Sequence, residues 1–295
     1  MSDRIIRSRT DALFDTGVYA IMIAFSAIFL YPVLYAISCS FSGAEALLHQ
    51  EVWLWPVDVT LKSYQMVFEH KYVLSSYGNT ILYTVLGTTY SVLLTILGAY
   101  PLSRSYLPFR DFFMLIIAFT MLFGGGLIPT FLVVRDLKLV NTLWALVLPC
   151  AVTPFNLILL RTNMQEIPDA IEESAKIDGA NDWIILVRII LPMCMASVMT
   201  VVLLYFVAKW NDWFNALVYL NDREKYPLQL ILRDILVSND DKTLNQQMLR
   251  EAKNSVSSLG FKCAIMVIAM APLLVVYPFI QRYFVKGVMV GAVKG

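Results

Sequence analysis

Apolar runs of bilayer length recur from one end of this 295-residue chain to the other, and no other feature limits its fold so tightly. A hydrocarbon core about 30 Å thick is crossed by about 20 consecutive apolar residues in a helix. Helices suit that environment because every backbone polar group is satisfied within the segment. The runs lie near 16–40, 77–103, 112–134, 141–161, 184–208 and 261–283. They predict an all-α integral membrane protein with six transmembrane helices. Only 15% of residues are charged, against about 25% in soluble domains, so no separate soluble domain is expected. The expected organisation is a single membrane domain over 1–295. It has a first span and outer loop over 16–76, a five-span core over 77–283 and a tail over 284–295. The polar head with Arg4, Arg7 and Arg9 imitates a signal peptide, but the first run exceeds 20 residues and lacks a small-residue cleavage site. An uncleaved first span is the reading.

Short basic flanks orient the spans. Arg4, Arg7 and Arg9 precede the first, Arg104 and Arg110 separate the second and third, and Arg282, Lys286 and Lys294 follow the sixth. With six crossings all fall on one side, which the positive-inside rule makes cytoplasmic. The 209–260 loop also carries basic residues, yet falls outside in this count. A formal net charge of +1 argues against a nucleic-acid partner, since no basic field is available for phosphates. Cys39, Cys150, Cys194 and Cys263 are far apart in apolar sequence, without a CxxC pair, and read as buried free thiols.

A charged island interrupts this pattern at Glu172-Glu173-Ser174-Ala175-Lys176-Ile177-Asp178-Gly179-Ala180, within a cytoplasmic loop at 164–183. Pro168 suits a first helical turn, and Asp169, Glu172 and Glu173 favour the positive helix N-terminus. Ile167, Ile171, Ser174, Ala175 and Asp178 recur at three- and four-residue spacing, predicting one narrow, small-residue face. Gly179 permits a left-handed or sharply turned backbone at the helix end. Asn181 or Asp182 is placed to cap a second helix running towards Leu191-Pro192. The segment reads as a docking helix presented to a partner in water; an ordinary solvated loop is the other reading of the same residues.

Ile167-Pro168, Glu172 to Ala175, Asp178-Gly179-Ala180 and then Ile189, Leu191-Pro192 resemble the EAA loop of ATP-binding-cassette importer permeases. Nearly the whole chain is similar to the carbohydrate permease branch that includes the maltose-type subunits. Within it, the chain looks closest to the complex-oligosaccharide, alginate-type and lipoprotein-linked group. Further matching stretches are Asn79-Thr80, Ala99 to Arg104, Gly124 to Pro129, Asn141 to Trp144, Trp210 to Leu217 and Gly291 to Gly295. Ser174 departs from the pattern, standing where the first alanine usually lies, but is small enough for the same close packing. The resemblance implies a type I importer fold and a second homologous permease, two ATPase subunits that carry ATP and Mg, and an extracytoplasmic sugar-binding protein. It implies no cofactor on this chain. Glu172, Glu173, Ser174, Ala175, Asp178, Gly179 and Ala180 are then the ATPase-coupling residues, in a bacterial cell membrane protein with cytoplasmic termini.

The apolar segments carry weaker signals. Gly124, Gly125, Gly126 and Pro129 predict either a hinge or close helix packing, and Pro149 and Pro154 a bend in the fourth span. Asn79, Thr84, Gly125, Trp210, Asn211, Trp213 and Asn215 are the candidate substrate-pathway residues. Interhelical hydrogen bonding is the first reading of Asn79 and the span-2 threonines, Thr80, Thr84, Thr88 and Thr89, and an interfacial aromatic belt that of the tryptophans. No span carries a charge near its centre, contrary to what a proton- or sodium-coupled carrier requires; a secondary transporter or channel for a small polar solute is nonetheless the alternative. His49 and His70 lack a companion nucleophile or metal cluster, and no GxxxxGK[ST] motif exists, so the chain is read as non-catalytic and reliant on a separate ATPase. In the outer loop, Leu228, Ile231, Leu232, Ile235 and Leu236 predict an amphipathic helix, and 245–257 a second. That loop reads as a binding-protein platform, together with Trp53, Trp55, Pro56 and Tyr64, or as a lid on the partner permease.

Overall fold

Small hydroxyl residues and large apolar ones divide the longest apolar stretch into two faces, and the division organises the fold. A computed structural model describes residues 9–237 and 258–292. Helix α4 (Val73–Ser103) buries Ser76, Thr80, Thr84, Thr88, Ser91 and Thr95, while Leu74, Ile81, Leu82, Val85, Leu86, Leu93 and Leu97 face outwards. A soluble helix does the reverse. Lipid is as apolar as leucine, so large apolar groups gain nothing from turning inwards, whereas small residues let helices approach closely.

The described chain forms two compact units. One combines the chain up to His70 with Ser258–Ala269. It contains α1 (Arg9–Phe41), α2 (Ala44–Leu48), α3 (Lys62–Glu69) and the start of α14 (Ser258–Ala292). Cys39, Ala46, Leu47, Val52 and Cys263 form its core, flanked by Tyr35, Val57 and Met266. Ser40 and Tyr64 hydroxyls share a 2.8 Å hydrogen bond, and Ser38 Oγ donates to Leu54 O at 2.6 Å. Trp53 and Trp55 are exposed.

The other unit runs over Lys71–Val237 and resumes at Met270. After α4 come α5 (Arg110–Leu122), α6 (Leu127–Asp136), α7 (Trp144–Val147), α8 (Pro154–Gln165) and α9 (Asp169–Ile177). Then follow α10 (Asp182–Met193, with a π-helical turn over Ile185–Ile190), α11 (Met195–Trp210), α12 (Phe214–Tyr219) and α13 (Leu228–Val237). α4 packs against both α8 and α11. Thr95 Oγ1 and Tyr205 Oη lie 2.8 Å apart, and Tyr205 Oη also accepts from Thr153 N at 3.0 Å. The last turn of α11 sends Lys209 past Gly87, where an added Cβ would lie 3.3 Å from the lysine Cδ. Lys209 Nζ then donates to Leu146 O at 2.9 Å.

Among the described residues three helical stretches are long and apolar enough to cross a bilayer: Phe14–Phe41, Val73–Ser103 and Ser258–Phe279. Two bent pairs bring the total to as many as five, α5 with α6 at 112° and α10 with α11 at 85°. The expected fourth span over 141–161 is not among them. Pro149 and Pro154 leave 148–153 outside any helix, separating four-residue α7 from twelve-residue α8. The break expected at Gly124–Gly126 is present. Among the described residues nothing approaches within 4 Å of a Cβ built at Gly124 or Gly125, so close packing against them does not explain these glycines. The predicted amphipathic helix is α13, which buries Leu228, Leu230 and Ile231. The second outer helix, over 245–257, lies outside the described residues, as do Arg4, Arg7 and Lys294. Cys39, Cys194 and Cys263 are buried free thiols; Cys150, by contrast, is exposed.

Candidate functional site

The charged island folds as a short helix with a defined start, stop and underside. Pro168 stands at the N-cap with extended ψ, one position earlier than the first turn, and Asp169 and Glu172 occupy the first turn. At the other end Gly179 has φ +84°. Its N–H donates to Lys176 O at 3.0 Å and the Ala180 N–H to Ala175 O at 2.9 Å. This bond pair is a Schellman closure, which needs a left-handed residue at the position Gly179 occupies. Of the two candidate caps, Asn181 starts α10: its Oδ1 accepts from Ile184 N at 2.9 Å.

The underside of α9 is where sequence and structure part. Ile167, Ile171 and Ala175 turn inwards and join the core of α4, α8, α10 and α11, which includes Ala99, Leu160, Met164, Ile190 and Val201. Ser174 and Asp178, expected on the same face, are exposed. The fourth inward residue is charged. Glu172 is 4% exposed and Arg104, the residue following α4, is 1% exposed. Arg104 Nη1 lies 3.1 Å from Glu172 Oε2, while Lys176 Nζ (2.8 Å) and Tyr106 Oη (3.1 Å) donate to Glu172 Oε1. Arg104 Nη2 donates to Met164 O at 3.2 Å, at the end of α8. Lys176 also lies over the Tyr106 ring, 4.5 Å from its centroid.

Burial alone would raise the Glu172 carboxyl, but the Lys176 hydrogen bond, the Arg104 charge and the Tyr106 hydroxyl together bring it below its ordinary value. Lys176 is raised, chiefly by its hydrogen bond to Glu172. Tyr106 is raised by burial and then by donating to the same carboxylate. Glu172 is therefore ionised at neutral pH, with cations on two sides. Removing one partner of such a buried pair costs about 3–5 kcal/mol, mostly because the other charge stays buried.

With Glu172 and Ala175 occupied below, the outer surface of α9 presents Glu173, Ser174, Ile177 and Asp178, followed by Gly179 and Trp183. Ala180 is half-buried against the core. Ile177 is 86% and Trp183 64% exposed. The sequence reading missed these two apolar groups, although Ile177 carries a signal: a large aliphatic residue on the polar side of an amphipathic turn.

Most of the proposed pathway residues lie where the start of α4 meets the end of α11 and residues 212–233, each with its own local partners. Asn79 Nδ2 donates to Glu224 O at 2.7 Å and Tyr226 O at 3.3 Å. Thr84 is buried, and its hydroxyl has no hydrogen-bond partner among the described residues. Gly125 is exposed in the α5–α6 break. Trp210 is buried beside Tyr77 and Phe206. Asn211 donates to Val207 O, and Trp213 lies beneath the Arg233 guanidinium at 4.8 Å. Asn215 bonds through N and Nδ2 to the Asp212 carboxylate. A cavity lined by Thr80, Tyr83, Leu146, Lys209, Asp212 and Pro227 includes none of the seven.

Among the described residues no cluster of three or more metal-ligating side chains occurs. What the geometry offers is a small, outward-facing helix fastened by charge to a bundle of apolar helices. Residues 91–290 match the family described as binding-protein-dependent transport system inner membrane component, and the chain belongs to that family. Protein LplC of Bacillus subtilis (strain 168) is 39% identical over 98% of this chain and 97% of its own length. The polygalacturonan/rhamnogalacturonan transport system permease protein YtcP of the same organism is 40% identical, over 96% and 99%. The chain also resembles a subunit in the crystal structure of a bacterial ABC transporter involved in the import of the acidic polysaccharide alginate. That similarity has a TM-score of 0.88 and 36% identity, and covers 95% of this chain and 99% of that one. The protein is accordingly a membrane-embedded transport component with the permease fold of that family.

Proposed function

We propose that this chain is the permease subunit of an ATP-driven importer of oligosaccharides, with uronate-containing chains as the leading substrate class. The polygalacturonan and alginate assignments of its relatives support the substrate class. In this reading the chain crosses the cytoplasmic membrane six times, with both termini inside. It pairs with a second permease and receives sugar from an extracytoplasmic binding protein. Two ATPase subunits supply ATP and Mg; this chain holds neither. α9 is the coupling helix: Glu173, Ser174 and Ile177 face a groove on the ATPase, while Glu172 and Ala175 hold the helix to its own bundle.

One observation carries the reading: the only acidic side chain buried among the described residues, Glu172, faces inwards while its neighbour Glu173 faces out. A solvated loop has no need of such a seat. The test is reconstitution of the complete complex in liposomes, with ATP hydrolysis measured as the binding protein is offered neutral and uronate oligosaccharides. Stimulation by the uronate set is expected. Stimulation by neutral sugars alone would reassign the substrate, and ATP-independent uptake by this chain alone would establish a secondary transporter instead.

A further inference from the structure

α9 is joined by chain continuity to α8 and α10, and α4 reaches it only through side chains. Arg104 at the inner end of α4 pairs with Glu172 at 3.1 Å and approaches Asp169 at 3.8 Å. Arg161 Nε of α8 donates to Leu102 O at 3.1 Å at the same level. About 35 Å away, by helical rise, the outer end of α4 is pinned to a second segment. Asn79 holds Glu224 O and Tyr226 O, Tyr83 Oη donates to Lys225 O at 2.8 Å, and Leu228 N donates to Thr80 Oγ1 at 2.7 Å. Four backbone polar groups within 224–228 are thus held by one face of one helix. A single unbroken helix joins the seat of α9 to the start of α13, with side-chain fasteners at both ends.

We propose that Arg104 is a positioning residue of the transport cycle, and that it makes α4 the strut by which displacement of α9 reaches residues 223–231. The inference rests on the reading of α9 as the ATPase seat. A continuous helix fastened at both ends carries displacement along its axis, and the core packing of α4 against α8 and α11 keeps it from buckling. Arg104 suits the inner joint because its guanidinium fork engages Glu172 through Nη1 and Met164 O through Nη2 at once, which a lysine cannot reproduce.

The complete reconstituted complex tests this, with a uronate oligosaccharide as probe. Arg104→Gln/Glu172→Gln removes both charges and leaves neither buried alone. It is expected to retain the ATPase on purification while stimulation by the loaded binding protein falls about fivefold or more, the lower end of ordinary coupling. A spin label at Ile177→Cys should still respond to ATP in that variant, but its distance to a label at Glu224→Cys should broaden relative to the parent complex. Tyr83→Phe at the far end should also lower stimulation, and its combination with the double variant should be no worse than the double variant alone. Full stimulation in the double variant, or strictly additive losses, overturns the strut. If the Arg104 variants do not assemble, unaltered stimulation in Tyr83→Phe overturns it. An ATP-insensitive Ile177 label in the parent complex would instead refute the seat at α9.

Discussion

Gly126 and Gly179 share a backbone angle, φ +83° and +84°, in opposite surroundings. Gly179 closes α9, which is tied down by Glu172, Ala175 and the Schellman bonds. Gly126, with ψ 171°, opens α6 after a 112° bend, and across α5 and α6 only Val134 is buried. Thr130, whose N–H and hydroxyl both reach Gly126 O, is the local support at that bend. Among the described residues neither glycine is there for lack of room: a Cβ at Gly179 meets nothing within 4 Å, and at Gly126 only Pro129 Cδ at 4.0 Å. The same conformational freedom therefore finishes a helix in one place and redirects a span in the other. Its value at Gly179 depends on the helix being anchored.

Four measurements separate the two cases. The largest effect is expected from Glu173→Lys or Gly179→Val, each leaving the protein in the membrane while abolishing saccharide-dependent growth and stimulated ATP hydrolysis. Normal coupled transport by both would remove α9 from the mechanism. Next, Glu172→Ala should destabilise the purified chain by about 3–5 kcal/mol because Arg104 stays buried unpaired. A loss near zero in chemical denaturation would mean that Arg104 finds water there. Third, Gly126→Ala should cost about 1–3 kcal/mol, since φ near +80° with ψ near 180° is open essentially to glycine alone, and Gly179→Ala about 1–2 kcal/mol, the cost of a left-handed residue at a helix end. Equal melting shifts would erase the distinction drawn between bend and cap. The smallest effect concerns pH. The folded Glu172 carboxyl lies below its ordinary value, so its stabilisation is complete above about pH 4.3 and is lost as pH falls through the folded value. The stability difference between the parent and Glu172→Gln should then stay flat from neutrality to mild acid and shrink below that. A difference that shrinks already near neutrality would contradict the depressed carboxyl.

Local chemistry made part of this legible in the sequence. Gly179 after a helical run, Asn181 ahead of another, and the spacing of α13 each describe a neighbourhood of a few residues, and each was read as found. The Arg104–Glu172 pair was not, because its members are remote in sequence and each had a sufficient local explanation. Arg104 served as a topological flag, and Glu172 as a helix-dipole partner. Three- and four-residue spacing also defines a stripe broad enough to take in Ser174 and Asp178, which the fold leaves exposed beside the face that Ala175 buries. Pro149 and Pro154 predict a bend within one span, whereas the six residues over 148–153 lie outside helix altogether. The π-helical turn at 185–190 has no residue signature of its own; it adds a residue to the turn while Ile185, Leu186 and Ile190 remain buried.

Gly87 has an inheritance of its own. The stem of Lys209 runs through the space its missing side chain leaves, on the way to the Leu146 carbonyl. Neither position is therefore free to drift alone. In chains descended from a common ancestor, a larger residue at 87 should be found with a shorter one at 209, and a long amine at 209 with glycine at 87.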